Sequence, residues 1–389
     1  MKHLISFILG TIVFVQIARA AVVASGPVQF SESAAGGSFN PIFSADGRHL
    51  VFISHANNLV TNDDLGLSLD VFVRDLVTSN TVLVSVSTNG FGGANVDANY
   101  PSVSSNGQFI AFASRASNLV PGDTTGASDV FVRDLASGTT TLVSFECCGT
   151  GDPNPSLNIP HSGYPIISQN GRWVFFESRS TNFGVPDFNN SVDVFGRDIQ
   201  TGEMRAVSFA MNGVDMANGA STLSAVSADG RYVAFVSTAT NIVAGRTNNG
   251  TAVYLRDMQS GQIVWATTNC SGCKNPVLDN SGNVIAYMHE SSPVSGVAAV
   301  YRYDRLAGET TAVGAATNLS IPLWMSADGE VILYTQRGYP NGSIVYEWRH
   351  SRGVTNGVGG EVAVALSSDG NFGVIQSTGQ LLRVTLTNS

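Results

Sequence analysis

The stretch NGQFIAFASRASNLVPGDTTGASDVFVRDL (106–135) decides how the chain is read. It opens on an Asn-Gly pair, which suits a tight hairpin because both residues tolerate positive φ. An apolar run, FIAFAS (109–114), follows; then come 14 mostly small or polar residues and a second apolar run, DVFVRDL (129–135). Both runs are short, rich in Phe, Val and Ile, and bounded by turn residues. That is a strand signature, with no period of 3.6 that would support a helix.

The same unit recurs along the chain. Its hairpin and second strand appear as DGRHLVFIS (46–54), NGQFIAFAS (106–114), NGRWVFFES (170–178), DGRYVAFVS (229–237), SGNVIAYMH (281–289), DGEVILYTQ (328–336) and DGNFGVIQS (369–377). Third strands follow at 70–76, 129–135, 193–199, 252–258, 300–306 and 344–350, and fourth strands at 81–87, 140–146, 204–210 and 263–269. Four short strands per repeat of about 40–60 residues is the signature of propeller blades. The sequence therefore predicts an all-β chain: a seven-bladed β-propeller of four antiparallel strands per blade, with almost no helix. Blades are expected at about 37–87, 98–146, 162–210, 220–268, 274–315, 320–358 and 361–389. The last supplies only three strands, and PVQFSES (27–33) aligns with the fourth strands, so residues 26–34 are expected to close the ring near 381–387.

At these residues the chain resembles a known family. PIFSADGRHLVFIS (41–54) and DVFVRDLASGTT (129–140) look like the TolB-type β-propeller repeat, a relative of WD-repeat blades. The resemblance covers essentially the whole chain after residue 20. It implies the fold and leaves function open, because related propellers bind proteins, line tunnels in peptidases or carry lyase sites. No α/β pattern precedes the repeats, which sets the chain apart from TolB itself.

Composition agrees with many turns and many buried strands. The 389 residues include 41 Gly, and only 13% are charged, about half the usual share. A net charge of −9 excludes a nonspecific nucleic-acid binder, whose affinity rests on basic residues meeting phosphate. Residues 1–20, MKHLISFILGTIVFVQIARA, combine a basic start, a short apolar stretch and an Ala18-Arg19-Ala20 ending. They read as a secretory signal peptide, leaving 21–389 as one propeller. No apolar run long enough to span a membrane follows it. Loss of Lys2 and Arg19 takes the mature charge to −11. A periplasmic or secreted monomer is expected.

Loop lengths point to one face. Turns between first and second strands are short, whereas loops between second and third strands hold about 15, 14, 14, 14, 10, 7 and 3 residues in blades one to seven. Rigid scaffolds present function on such loops. Binding candidates on or near that face are His55, Arg115, Arg179, His289, Tyr100, Tyr164 and Tyr339; the tyrosines are suited to stacking on a sugar or peptide. The Asp pairs Asp64/Asp70, Asp123/Asp129 and Asp187/Asp193, each six apart, suggest calcium, with Thr125, Asn189 or Ser191 adding oxygens. The spacing lacks the dense acidic run of an EF-hand loop, and the alternative is that the second Asp caps the loop where a strand starts. The recurrent Arg-Asp pairs ending the third strands, such as Arg74-Asp75, read as turn scaffold, the carboxylate accepting turn N–H groups.

The four cysteines are Cys147, Cys148, Cys270 and Cys273. In an exported chain they read as disulfide partners, with Cys270–Cys273 the favoured pair and Cys147–Cys148 either an adjacent pair or free. No H-E-x-x-H, G-x-S-x-G or paired Ser/His/Asp pattern occurs. The sequence thus favours a noncatalytic binding propeller with a protein or glycan ligand in the cell envelope. The alternatives are a lectin-like sugar binder, or a polysaccharide lyase or hydrolase with its site at the central channel.

Overall fold

A computed structural model describes residues 38–63, 66, 68–123, 126–145, 162–181, 183–246, 250–265, 267, 270–292, 297–317, 323–338, 342–359, 362–377 and 380–386. The described residues form two compact units, one ending at Asn218 and one starting at Gly219. The boundary falls between repeats three and four.

The first unit holds three four-stranded antiparallel sheets, each with its strands in chain order. Sheet one is β1 (Ser38–Phe43), β2 (His49–Ser54), β3 (Asp70–Asp75) and β4 (Thr81–Leu83). Sheet two is β5 (Ala98–Val103), β6 (Phe109–Ser114), β7 (Asp129–Asp134) and β8 (Thr139–Leu142). Sheet three is β9 (Gly163–Ile167), β10 (Trp173–Ser178), β11 (Asp193–Asp198) and β12 (Met204–Ala206).

The second unit holds three more four-stranded sheets and one of three strands. Sheet four is β13 (Ser221–Val226), β14 (Tyr232–Ser237), β15 (Ala252–Asp257) and β16 (Ile263–Trp265). Sheet five is β17 (Cys273–Leu278), β18 (Val284–Ser292), β19 (Val297–Asp304) and β20 (Glu309–Thr317). Sheet six is β21 (Trp324–Met325), β22 (Val331–Gly338), β23 (Gly342–Arg349) and β24 (Val354–Gly359). Sheet seven is β25 (Val362–Leu366), β26 (Phe372–Ser377) and β27 (Gln380–Thr385). No helix occurs among the described residues, so none is long and apolar enough to cross a membrane. The segments 1–20 and 26–34, expected as signal peptide and closing strand, lie outside the described residues.

The core lies between consecutive sheets. Side chains alternate across a strand, so Ile110, Phe112 and Phe131 of sheet two pack against Val51, Ile53, Val71 and Val73 of sheet one. Ala111, Val130 and Val132 turn the other way, against Val174, Phe176 and Phe195 of sheet three. The second unit repeats the arrangement, with Leu255 and Val253 sharing a core with Ile285 and Tyr287. Middle strands are thus buried on both faces, which is why they read as continuous apolar runs and why the chain carries so little charge. Each fully buried Phe is worth roughly 1.5–3 kcal/mol.

The hairpin turn does double duty. Gly171 has φ +73°, and a Cβ there would lie 2.6 Å from the Phe109 ring of the preceding repeat. Gly107 is placed in the same way against His49. Only glycine meets both the backbone and the steric demand. Adjacent turns are also joined by backbone bonds, Ser105 N to Gln169 O at 2.8 Å and Ala327 N to Ser368 O at 2.8 Å.

Two boundaries differ from the sequence expectation. Fourth strands of repeats one to four leave the ladder four residues early, because a hydroxyl two residues past each end takes over. Ser85, Ser144, Ser208 and Thr267 accept the N–H of Val71, Val130, Val194 and Val253 at 3.0–3.1 Å. In repeats five and six the middle strands run on into the expected loops. The connections shrink to residues 293–296 and 339–341 instead of about 10 and 7, because the β18–β19 and β22–β23 ladders extend to Ser292↔Val297 and Gly338↔Gly342.

Candidate functional site

Antiparallel order places the first-to-second and third-to-fourth turns at one edge of each sheet. The second-to-third loops and the inter-repeat connections share the other edge. In the first unit this second edge carries the exposed apolar residues Phe91, Phe188, Met211 and Val214. The first strands enter from it, with β1 packed on β5 and β5 on β9.

Each of these first strands is bulged near its start. Tyr100 and Pro101 together oppose Phe112, and Tyr164 and Pro165 together oppose Phe176, so the register slips by one residue. The bulged residue sits in the left-handed region, at φ 53° for Tyr100 and 51° for Tyr164. Glycine normally fills that position of a bulge; a bulky residue costs on the order of 1–2 kcal/mol. The bulge throws both phenols outward, 47% and 53% exposed, with ring centroids 4.4 Å apart and planes at 42°. Tyr164's phenol pKa is raised, first by its hydrogen bond with Tyr100, then by that ring's charge, burial and the Glu177 carboxylate. In repeat one Asn40 takes the bulge (φ 49°), and beside it Phe39 meets His55 edge-on with centroids 6.3 Å apart. The sequence named Tyr100, Tyr164 and His55 as candidates. It did not signal that two tyrosines 64 residues apart touch, nor that Phe39 and Glu177 belong with them.

The second carboxylate of each Asp pair has a structural partner. Asp70, Asp129 and Asp193 open β3, β7 and β11, each buried. Each accepts a hydrogen bond from Ser85, Ser144 or Ser208 at 2.6–2.7 Å, the same hydroxyl that accepts the neighbouring Val N–H. The recurring signal was a Ser 15 residues after the Asp. Burial pushes the Asp193 carboxyl up to about 7; hydrogen bonds from Ser208 and Asn189 oppose the shift and the Asp187 charge adds to it. Asp123 is buried and Asp187 half-buried, its carboxyl pKa also raised by burial. Asp64 and Thr125 lie outside the described residues. Among the described residues no three His, Cys, Asp or Glu side chains converge as a metal cluster.

The other candidates are dispersed. Arg115 is exposed and donates from Nε to Gly126 O at 3.0 Å, holding its own loop; Arg179 is exposed at the matching place in repeat three. His289 lies within β18, paired with Cys273 and Ala299 and tilted against Tyr301, and not on a loop. It belongs to the second unit, whereas His55 belongs to the first. Cys270 and Cys273 are buried and joined as a disulfide, with Cα atoms 6.0 Å apart. Cys147, Cys148 and Tyr339 lie outside the described residues.

Comparison with solved structures decides the fold. The propeller domain of the Trilobed protease from Pyrococcus furiosus aligns with a TM-score of 0.52 at 11% identity, over 92% of this chain and all of that one. The chain is a β-propeller. An oligogalacturonate lyase in complex with manganese aligns at 0.55 and 15% identity, over 89% of this chain and 88% of that one. TolB from Acinetobacter baumannii also matches, at a TM-score of 0.44 and 16% identity over 81% of this chain, which spans 64% of the TolB length. No protein-family model matches the chain, and no curated protein matches it in sequence. The six four-stranded sheets are blades, and a three-stranded sheet follows them among the described residues.

Proposed function

We propose that this propeller is an exported, noncatalytic binding protein of the cell envelope, which holds a protein or glycan ligand at the loop-bearing edge of its blades. The observation that carries this is the exposed Tyr100–Tyr164 pair, kept outward by two left-handed bulges. Strained backbone persists where the surrounding structure over-determines it, and it clusters at ligand clamps. Two adjoining phenols give a rigid apolar platform with polar tips, which suits a sugar ring or a peptide side chain. The exposed Phe91, Phe188, Met211 and Val214 on the same edge add apolar contact area. Export rests on the first 20 residues and their Ala18-Arg19-Ala20 ending.

The test compares wild type with Tyr100→Ala/Tyr164→Ala in pull-downs from envelope extract and on a glycan array. We expect one ligand retained by wild type and lost by the variant. Equal capture by both proteins overturns the role of the pair. A hit confined to the array, abolished in the variant, selects the lectin reading over protein binding.

A further inference from the structure

Blades three and four carry opposite charges at the same place in the same loop. In blade three the connection from β10 to β11 ends in DFNNSVD (187–193), with Asp193 opening β11. Asn189 ties the two acids together: its backbone N–H donates to Asp187 Oδ1 at 3.0 Å, and its Nδ2 donates to Asp193 Oδ2 at 2.9 Å. Asp193 is fully buried, and Asp187 Oδ2 is a buried oxygen with no hydrogen-bond partner. Among the described residues no ion pair reaches either carboxylate. Two linked carboxylates in a low-dielectric loop repel each other, and a buried charge without a partner is costly.

The matching registers align the two blades residue by residue. Ser178 pairs with Asp193 and Phe176 with Phe195 in blade three; Ser237 pairs with Ala252 and Phe235 with Tyr254 in blade four. On that alignment Ala252 stands for Asp193, and Arg246 stands for Asp187. Both acids have gone and a cation has come in. Arg246 is only 6% exposed, and its guanidinium donates to the carbonyl oxygens of Ser237 (3.1 Å) and Gly250 and to the Tyr254 hydroxyl. A positive group in this loop therefore meets oxygens from the second strand, the loop and the third strand.

We propose that the blade-three loop binds one calcium ion between Asp187 and Asp193, and that Arg246 supplies in blade four the positive charge the ion supplies in blade three. Two carboxylates balance a divalent charge. Main-chain carbonyls and water complete the six to eight oxygens that calcium takes from a flexible loop, a geometry less suited to magnesium. The acids of blades one and two keep the same six-residue spacing, at Asp64/Asp70 and Asp123/Asp129.

The experiment measures bound calcium per chain by equilibrium dialysis of the mature protein after chelator treatment, with calcium alone as the probe. Asp187→Asn is expected to lose one equivalent relative to wild type. A second variant copies blade four with Asp187→Arg, Asp193→Ala and Phe195→Tyr. It is expected to lose the same equivalent and still melt cooperatively, which covers an Asp187→Asn protein that fails to fold. The proposal is overturned if wild type binds no calcium at millimolar concentration, or if the folded variants keep full stoichiometry. It is also overturned if magnesium occupies the blade-three site more tightly than calcium.

Discussion

Arg48, at the start of the first hairpin, reaches Asp75 at the end of the third strand at 2.6 Å. Arg172–Asp198 and Arg231–Asp257 repeat the contact at 2.7 and 2.8 Å. The Arg adjacent to each Asp in sequence takes no such part, because neighbouring residues on a strand point to opposite faces. Register decides instead: His49 lies opposite Asp75, which brings Arg48 alongside. The turn role read from the sequence is visible too, since Val77 N and Thr78 N donate to Asp75 Oδ1 at 2.8 and 3.2 Å. The Arg48 and Arg231 hydrogen bonds hold the Asp75 and Asp257 carboxyls well below the usual carboxylate range. Depressed pKa values stabilise the fold above the unfolded value of about 4, and that stability is lost as pH falls further. Melting temperature is therefore expected to drop below pH 4, and Arg48→Ala/Arg231→Ala should flatten that drop; an unchanged acid limb in the variant refutes the assignment. Gly171→Ala should cost several kcal/mol in urea melts, since it meets both a positive φ and the Phe109 ring. A loss under 1 kcal/mol would show that the ring moves aside freely.

At the scale of the element, the bulged first strand is the informative piece. Repeats one, two, three and five each place a Pro after the left-handed residue, at Asn40, Tyr100, Tyr164 and Asn275. Asn tolerates that conformation; Tyr does so at a cost. Tyr100→Gly is expected to hold or raise the melting temperature while weakening ligand capture, the reverse of what a purely structural tyrosine would show. A variant that melts lower and binds normally counts against the platform. The fourth strand is a second case. The sequence run TVLVSVS (81–87) alternates like a strand throughout, yet the ladder ends at Leu83, because the Ser85 hydroxyl satisfies Val71 N and Asp70 together. Periodicity reports which face a residue takes and says nothing about a side chain that replaces a ladder bond. Ser208→Ala should cost about 1–3 kcal/mol, the penalty of leaving Asp193 and Val194 N short of a partner; chemical denaturation measures it.

For the whole molecule, the opening run of repeats is enough to expect a propeller, and the sheets, their strand order and the solved structures agree. The alignment of residues 27–33 with the fourth strands predicts that a chain starting at Phe39 is less soluble and melts lower, through an exposed edge at β27. Equal melting of the shortened and full-length chains would remove that closure. The local features are legible from the chain alone: Asp-Gly hairpins, period-two apolar strands and their repetition, each set by backbone sterics and burial within a few residues. Which distant residues meet emerges only in the folded molecule. Tyr100 beside Tyr164, Arg48 beside Asp75, and Arg246 in the place of an acid all depend on strand register and blade stacking. Those are set by long-range packing of buried faces, to which the local pattern contributes the face and not the partner.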